Sequence, residues 1–190
     1  MAEAKPLRAD ARRNRARVLE AAEAVFAAKG TGASTEEVAK AAGVGIGTVF
    51  RHFSTKEALR QAVLVERMRE FAEEAARWAD AEDPGSAFFA FLDHWVEMGT
   101  AKYAYSEALA EAGAEVSWLG AEVGAQVRQA LGALLGRAQD AGAVRGDVEV
   151  PELIAVLVGA SYAVKHLDAD TALRRRTVDL MFAGLRPSHG

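Results

Sequence analysis

In the stretch from Ser34 to Leu59, STEEVAKAAGVGIGTVFRHFSTKEAL, the residues able to do chemistry are Thr48, Arg51, His52 and Lys56, with the apolar Ile46 and Phe50 set among them. The chemistry they offer is recognition. Thr48 and Arg51 can hydrogen-bond to base edges, Ile46 and Thr48 can meet a thymine methyl, and Lys and Arg are natural partners of phosphate. Brought together on one helix and the start of the next, these types imply binding to duplex DNA.

The elements that must position them can be read from the same segment. Ser34 followed by Glu37 predicts a capping box, so a helix is expected to begin at about Thr35. Val38, Ala39 and Ala42 recur at helical spacing, and Gly43 supplies the positive φ that ends a helix and turns the chain. Val44, an apolar residue inside a turn, suits two helices that pack across it. Gly45 can cap the second helix. In that helix Val49 and Phe53 are expected to face a small core, leaving Ile46, Thr48, Phe50, Arg51 and His52 on the other side. An apolar pair such as Ile46 and Phe50 would equally suit a buried core, and the sequence leaves both readings open.

From about residue 10 to 60 the chain resembles the TetR family of bacterial transcription regulators, on the order of cap, acidic residue, Ala, Gly, turn Val, Thr, aromatic, His, Phe and Lys-Glu-x-x-Leu. The resemblance implies that Gly45 to His52, including Ile46 and Arg51, enter the major groove. It assigns DNA contact to Thr48 and Phe50, and phosphate contact to His52, Lys56 and Thr35. The sequence departs from the family pattern at position 50, commonly Tyr, where Phe50 has no hydroxyl to donate to phosphate.

Charge divides the chain. Residues 1 to 60 hold eleven Lys or Arg against seven Asp or Glu, while residues 61 to 190 hold twelve against twenty. A net charge of −4 is therefore no argument against a nucleic-acid partner, since the basic surplus sits at one end. Arg12, Arg13, Arg15, Arg17, Arg51, Lys56 and Arg60 are the cations available for phosphates, and a basic arm before the first helix could reach a minor groove.

Enzymatic readings find little support. His52, His94, His166 and His189 are far apart, without HExxH spacing, paired Glu-x-x-His motifs or a glycine-rich phosphate loop after a strand. There is no cysteine for a disulfide, thiol switch or Cys-based metal site. No metal or cofactor is expected. The charged first twenty residues do not read as a signal peptide, and no apolar run reaches the roughly 20 residues that cross a bilayer, so the expected location is the cytoplasm, with no membrane partner.

Abundant Ala, Leu, Glu and Arg, with four prolines and no useful strand alternation, predict an all-α protein of about nine helices. The expected plan is a flexible arm over 1–9, a three-helix helix-turn-helix domain over 10–56, and a larger helical effector-binding and dimerisation domain over 57–190. Thr55 predicts the cap of a long helix to about Asp80, and Pro84 opens another to about Thr100. A short helix is expected from about Tyr103 to Glu111, then one from about Glu115 to Ala141 closed by Gly142, and two more over about 151–166 and 171–185.

Trp78, Phe91, His94, Trp95, Met98, Trp118 and Tyr162 are candidate contacts for a small-molecule effector, although aromatics at helical spacing also build plain core. Ala155, Gly159 and Ala163 repeat every fourth residue, a smooth strip that another helix could approach. The resemblance implies a homodimer through about 151–185. Together these expectations describe a repressor released from a palindromic operator by a small apolar or aromatic effector. The alternatives are a helical small-molecule-binding protein with degenerate DNA binding, or a ligand-independent or activating regulator.

Overall fold

The computed structural model describes residues 4–29, 32–101, 121–167 and 170–187. Among them are eight helices and no strand: α1 (Ala4–Lys29), α2 (Thr35–Ala42), α3 (Ile46–His52), α4 (Lys56–Ala79), α5 (Pro84–Ala101), α6 (Ala121–Asp140), α7 (Val150–His166) and α8 (Thr171–Ala183). The helix expected over Tyr103 to Glu111 and the start of the one expected from Glu115 lie outside the described residues. No described helix is long and apolar enough to cross a membrane.

The chain forms two compact units, Met1–Glu66 and Arg67–Gly190, with the division falling inside α4. That is ten residues beyond the boundary expected after residue 56. Leu59, Val63 and Leu64, on the first turns of α4, are buried and belong with the first unit. The expected arm over 1–9 is likewise helical from Ala4. Pro6 does not prevent this, because in the first turn of a helix its missing N–H has no intrahelical acceptor to lose.

In the first unit α1 packs on α2 and α3, and α2 packs on α3. Val18, Ala22 and Phe26 of α1, Val38 and Ala42 of α2, and Val49 of α3 are buried, so three short apolar faces share one core. In the second unit α5 packs on α6 and α7, and α7 on α8, around Phe88, Phe91, Leu92, Leu131, Leu134 and Leu153.

Local chemistry sets the helix ends. The Thr55 hydroxyl accepts from the Ala58 amide at 3.0 Å at the head of α4. Asp83 accepts from the Ser86 amide at 3.0 Å at the head of α5, and Asp170 from the Ala172 and Leu173 amides at 2.9 and 3.0 Å before α8. Gly142, at φ 69°, turns the chain after α6. Gly85 is needed for a different reason: a Cβ there would lie 2.7 Å from that of Ala143.

Candidate nucleic-acid interface

The recognition segment is built from the turn outward. At the head of α2 the Glu37 amide donates to the Ser34 hydroxyl at 3.2 Å and the Ser34 amide to the Glu37 carboxylate at 2.9 Å, a complete capping box. Lys29 of α1 also pairs with Glu37. The Lys29 hydrogen bond, then that of the Ser34 amide, holds the Glu37 carboxyl below its ordinary range. At the other end Gly43 adopts φ 63°, and the Val44 and Gly43 amides return to the Ala39 and Lys40 carbonyls at 3.0 and 3.2 Å.

Gly45 caps α3 in extended conformation, and the Thr48 amide closes the first turn onto its carbonyl at 2.8 Å. Val49 is fully buried and Phe53 is 4% exposed, which fixes the rotation of α3. The opposite side is open: Ile46 is 37% and Phe50 47% exposed, Arg51 and Gly47 are exposed, and Thr48, His52 and Lys56 are half-buried. The sequence left Ile46 and Phe50 between core and surface, and they lie at the surface. Thr35 differs from its companions, being buried at 8% exposure as the first residue of α2.

The basic residues are less uniform than their sequence suggests. Arg17 donates from Nη2 to the Ala42 carbonyl at 2.5 Å, satisfying the carboxyl end of α2. Arg13 pairs with Asp10, the Arg15 guanidinium lies 5.3 Å from the centre of the Phe53 ring, and Arg60 is 3.7 Å from Glu57. Arg13, Arg15, Arg17 and Arg60, all expected to serve phosphates, thus have structural partners. Sequence periodicity missed the role of Arg17, because its partner is 25 residues away.

In the second unit the candidate effector residues divide. Phe91 is fully buried, and its ring lies 5.3 Å from Phe71 and 6.5 Å from Trp78. Trp95 meets Phe71 edge-on at 4.2 Å, and His94 stacks on Trp78 at 6.5 Å while its Nε2 lies 3.0 Å from Glu74. Trp78, His94 and Trp95 are half-buried. Tyr162 is 50% exposed, its ring 4.3 Å from that of His166. Trp118 and the Met98 side chain lie outside the described residues.

Two of the clefts in this unit are lined by described residues. One of about 380 Å³ has an alanine floor of Ala72, Ala76, Ala130 and Ala133 between α4 and α6. The other, of about 420 Å³, is lined by Val96, Val164 and Val178 with Asp93, Glu97, Thr171, Arg174 and Arg175. Burial raises the Asp93 carboxyl above its ordinary range, opposed by Arg175 at 3.2 Å. The described candidate aromatics line neither cleft.

The small-residue strip on α7 is partly used within the chain. A Cβ on Gly159 would lie 3.4 Å from the Met181 methyl, and Leu153, Leu157, Ala160 and Val164 are buried. Val158, Tyr162, Leu173 and Leu180 of α7 and α8 are exposed, Leu180 at 75%.

A helix-turn-helix with an outward-facing second helix, in a basic unit followed by a larger helical one, defines a DNA-binding protein of the regulatory class. Residues 18–63 match the model for bacterial regulatory proteins of the tetR family, and residues 83–187 match that for the C-terminal domain of SbtR-like transcriptional regulators. The chain belongs to the TetR family. Its fold is similar to that of a TetR transcription regulatory protein from Mycobacterium vanbaalenii, with 42% identity, coverage of 96% of this chain and 100% of that one, and a TM-score of 0.69. TetR transcriptional regulator SCO0520 from Streptomyces coelicolor matches at 30% identity over 92% and 99% of the two chains, also with a TM-score of 0.69. A third structure, described as a molecular basis for control of antibiotic production by bacterial hormones, matches at 26% identity over 92% and 98%, with a TM-score of 0.64. Among curated proteins no significant match is found. The chain is a DNA-binding transcriptional regulator and, as a member of this family, not an enzyme.

Proposed function

We propose that this regulator is a cytoplasmic homodimeric repressor that binds a short palindromic operator and releases it when a small apolar or aromatic molecule enters the second unit. The observation that carries the DNA half of this reading is the outward face of α3, where Ile46, Thr48, Phe50 and Arg51 surround no core of their own. Gly45, His52 and Lys56 flank that face. The burial of Thr35 leaves its backbone as the better phosphate partner. With few hydrogen-bonding side chains on α3, direct readout is modest, and DNA shape supplies the remainder.

The dimer reading is supported by the exposed apolar residues Val158, Tyr162, Leu173 and Leu180 within 151–185. A two-fold dimer sets two heads roughly 34–36 Å apart or more, doubling a site that one helix-turn-helix reads over only a few base pairs. The effector reading is supported by the half-buried Trp78, His94 and Trp95. Helix α4, shared by both units, is the element through which an effector would act. The effector must prefer the conformation that does not bind DNA, and by the same coupling DNA weakens effector binding.

Fluorescence anisotropy of a labelled duplex, titrated across salt concentrations, tests this reading. Affinity should fall steeply with salt, because several phosphates are neutralised. Lys56→Ala should weaken all sequences and flatten the slope, whereas Thr48→Ala should change preference among them. Salt-insensitive capture of apolar ligands with no duplex binding would favour the ligand-carrier alternative. A panel of apolar and aromatic compounds then identifies an effector by release.

A further inference from the structure

Two features of α3 have no explanation inside the first unit. Ile46 and Phe50 are the large apolar side chains that the described part of this unit leaves exposed, and they sit one turn apart on the same edge of the helix. One exposed hydrophobe is ordinary, but a pair beside Thr48 and Arg51 forms a patch. The second feature is Gly47. Its φ is not positive, and a Cβ built there meets nothing within 4 Å. Neither backbone conformation nor packing asks for glycine, and glycine inside a helix costs stability relative to alanine.

We propose that Ile46 and Phe50 read thymine methyl groups in the major groove, and that Gly47 is bare so that the α3 backbone can close on the base edges. This rests on the DNA-binding reading above and adds a specificity to it. In the major groove the edges of G, C and A present hydrogen-bond donors and acceptors, and thymine alone adds an apolar group, its C5 methyl. Phosphates offer an uncharged side chain without a donor nothing in return for desolvation. Phe50, with no hydroxyl, has only its ring to offer. The basic surplus of residues 1 to 60 brings this patch to DNA, and the thymine methyl is the one groove feature that matches it.

The test uses the full-length protein and a duplex enriched from a random library, with each thymine replaced in turn by deoxyuridine. That exchange removes the methyl and keeps the pairing and the hydrogen-bonding edge. Affinity should fall about three- to tenfold at one or two thymines in each half-site. Ile46→Ala and Phe50→Ala, both at exposed positions, should each lose sensitivity to the exchange at one of those thymines. Gly47→Ala should raise the unfolding midpoint and lose duplex affinity. If the enriched duplex binds equally with every thymine exchanged, the methyl-reading proposal is overturned while the DNA-binding reading stands. If no duplex is preferred, the methyl-reading proposal and the operator reading both fall. Normal affinity of Gly47→Ala overturns the assigned role of Gly47.

Discussion

The Arg17 guanidinium closes over Gly43: Nη2 lies 3.0 Å from where a Cβ on Gly43 would stand, while it donates to the Ala42 carbonyl at 2.5 Å. One contact therefore joins α1 to the turn that aims α3. Gly43→Ala would meet both a left-handed φ of 63° and this guanidinium. We expect it to destabilise the protein by about 1–2 kcal/mol from the backbone alone, read as a lowered urea midpoint. Arg17→Ala should also destabilise, by leaving the end of α2 without its donor. An unchanged midpoint in both variants would contradict this account of the turn.

Glu37 gives a pH-dependent prediction. Its folded pKa is held below the ordinary 4.5 by Lys29 and the Ser34 amide. Its contribution is therefore complete above 4.5 and is lost as pH falls through the lower folded value. Urea midpoints of the wild type and Glu37→Gln should differ at neutral pH and converge in acid. A difference that grows in acid would contradict the assignment.

Phe91 and Trp95 separate core from ligand surface. Phe91 is fully buried between Phe71 and Trp78, so Phe91→Ala should cost about 3–5 kcal/mol in thermal or urea unfolding. Trp95 is half-buried, and Trp95→Phe should leave stability nearly intact while reducing the response to any effector found. Equal stability losses would assign both residues to the core.

Leu180 tests the dimer surface. It is 75% exposed on α8, so Leu180→Glu should leave the subunit folded. Sedimentation should then show the dimer dissociating at lower dilution than the wild type. An unchanged association would move the interface away from this face.

Much of this structure was legible because its signals are local. Ser34 with Glu37, Gly43, Thr55, Pro84 and Gly142 each act within one turn of the chain, and each stands where the sequence predicts a helix to start or stop. The inward turn of Val49 and Phe53 followed from their spacing alone. What the sequence did not disclose depends on distant partners. Arg17 reads as a cation for phosphate but donates to the end of α2, and the helix that approaches the smooth strip at Gly159 is α8 of the same chain, through Met181. Helix α1 already runs from Ala4, where the sequence reading expects an arm, and the Ala, Leu and Arg of that segment favour helix. Helix α4 gives no sequence signal where one unit ends and the next begins, since its periodicity continues through Glu66.

Selection of bound duplexes from a random library by full-length protein at near-physiological salt tests sequence-specific binding by a two-fold dimer. An enriched palindrome is expected, with half-site centres about one helical turn apart or further. A folded, dimeric protein that enriches no motif would contradict it.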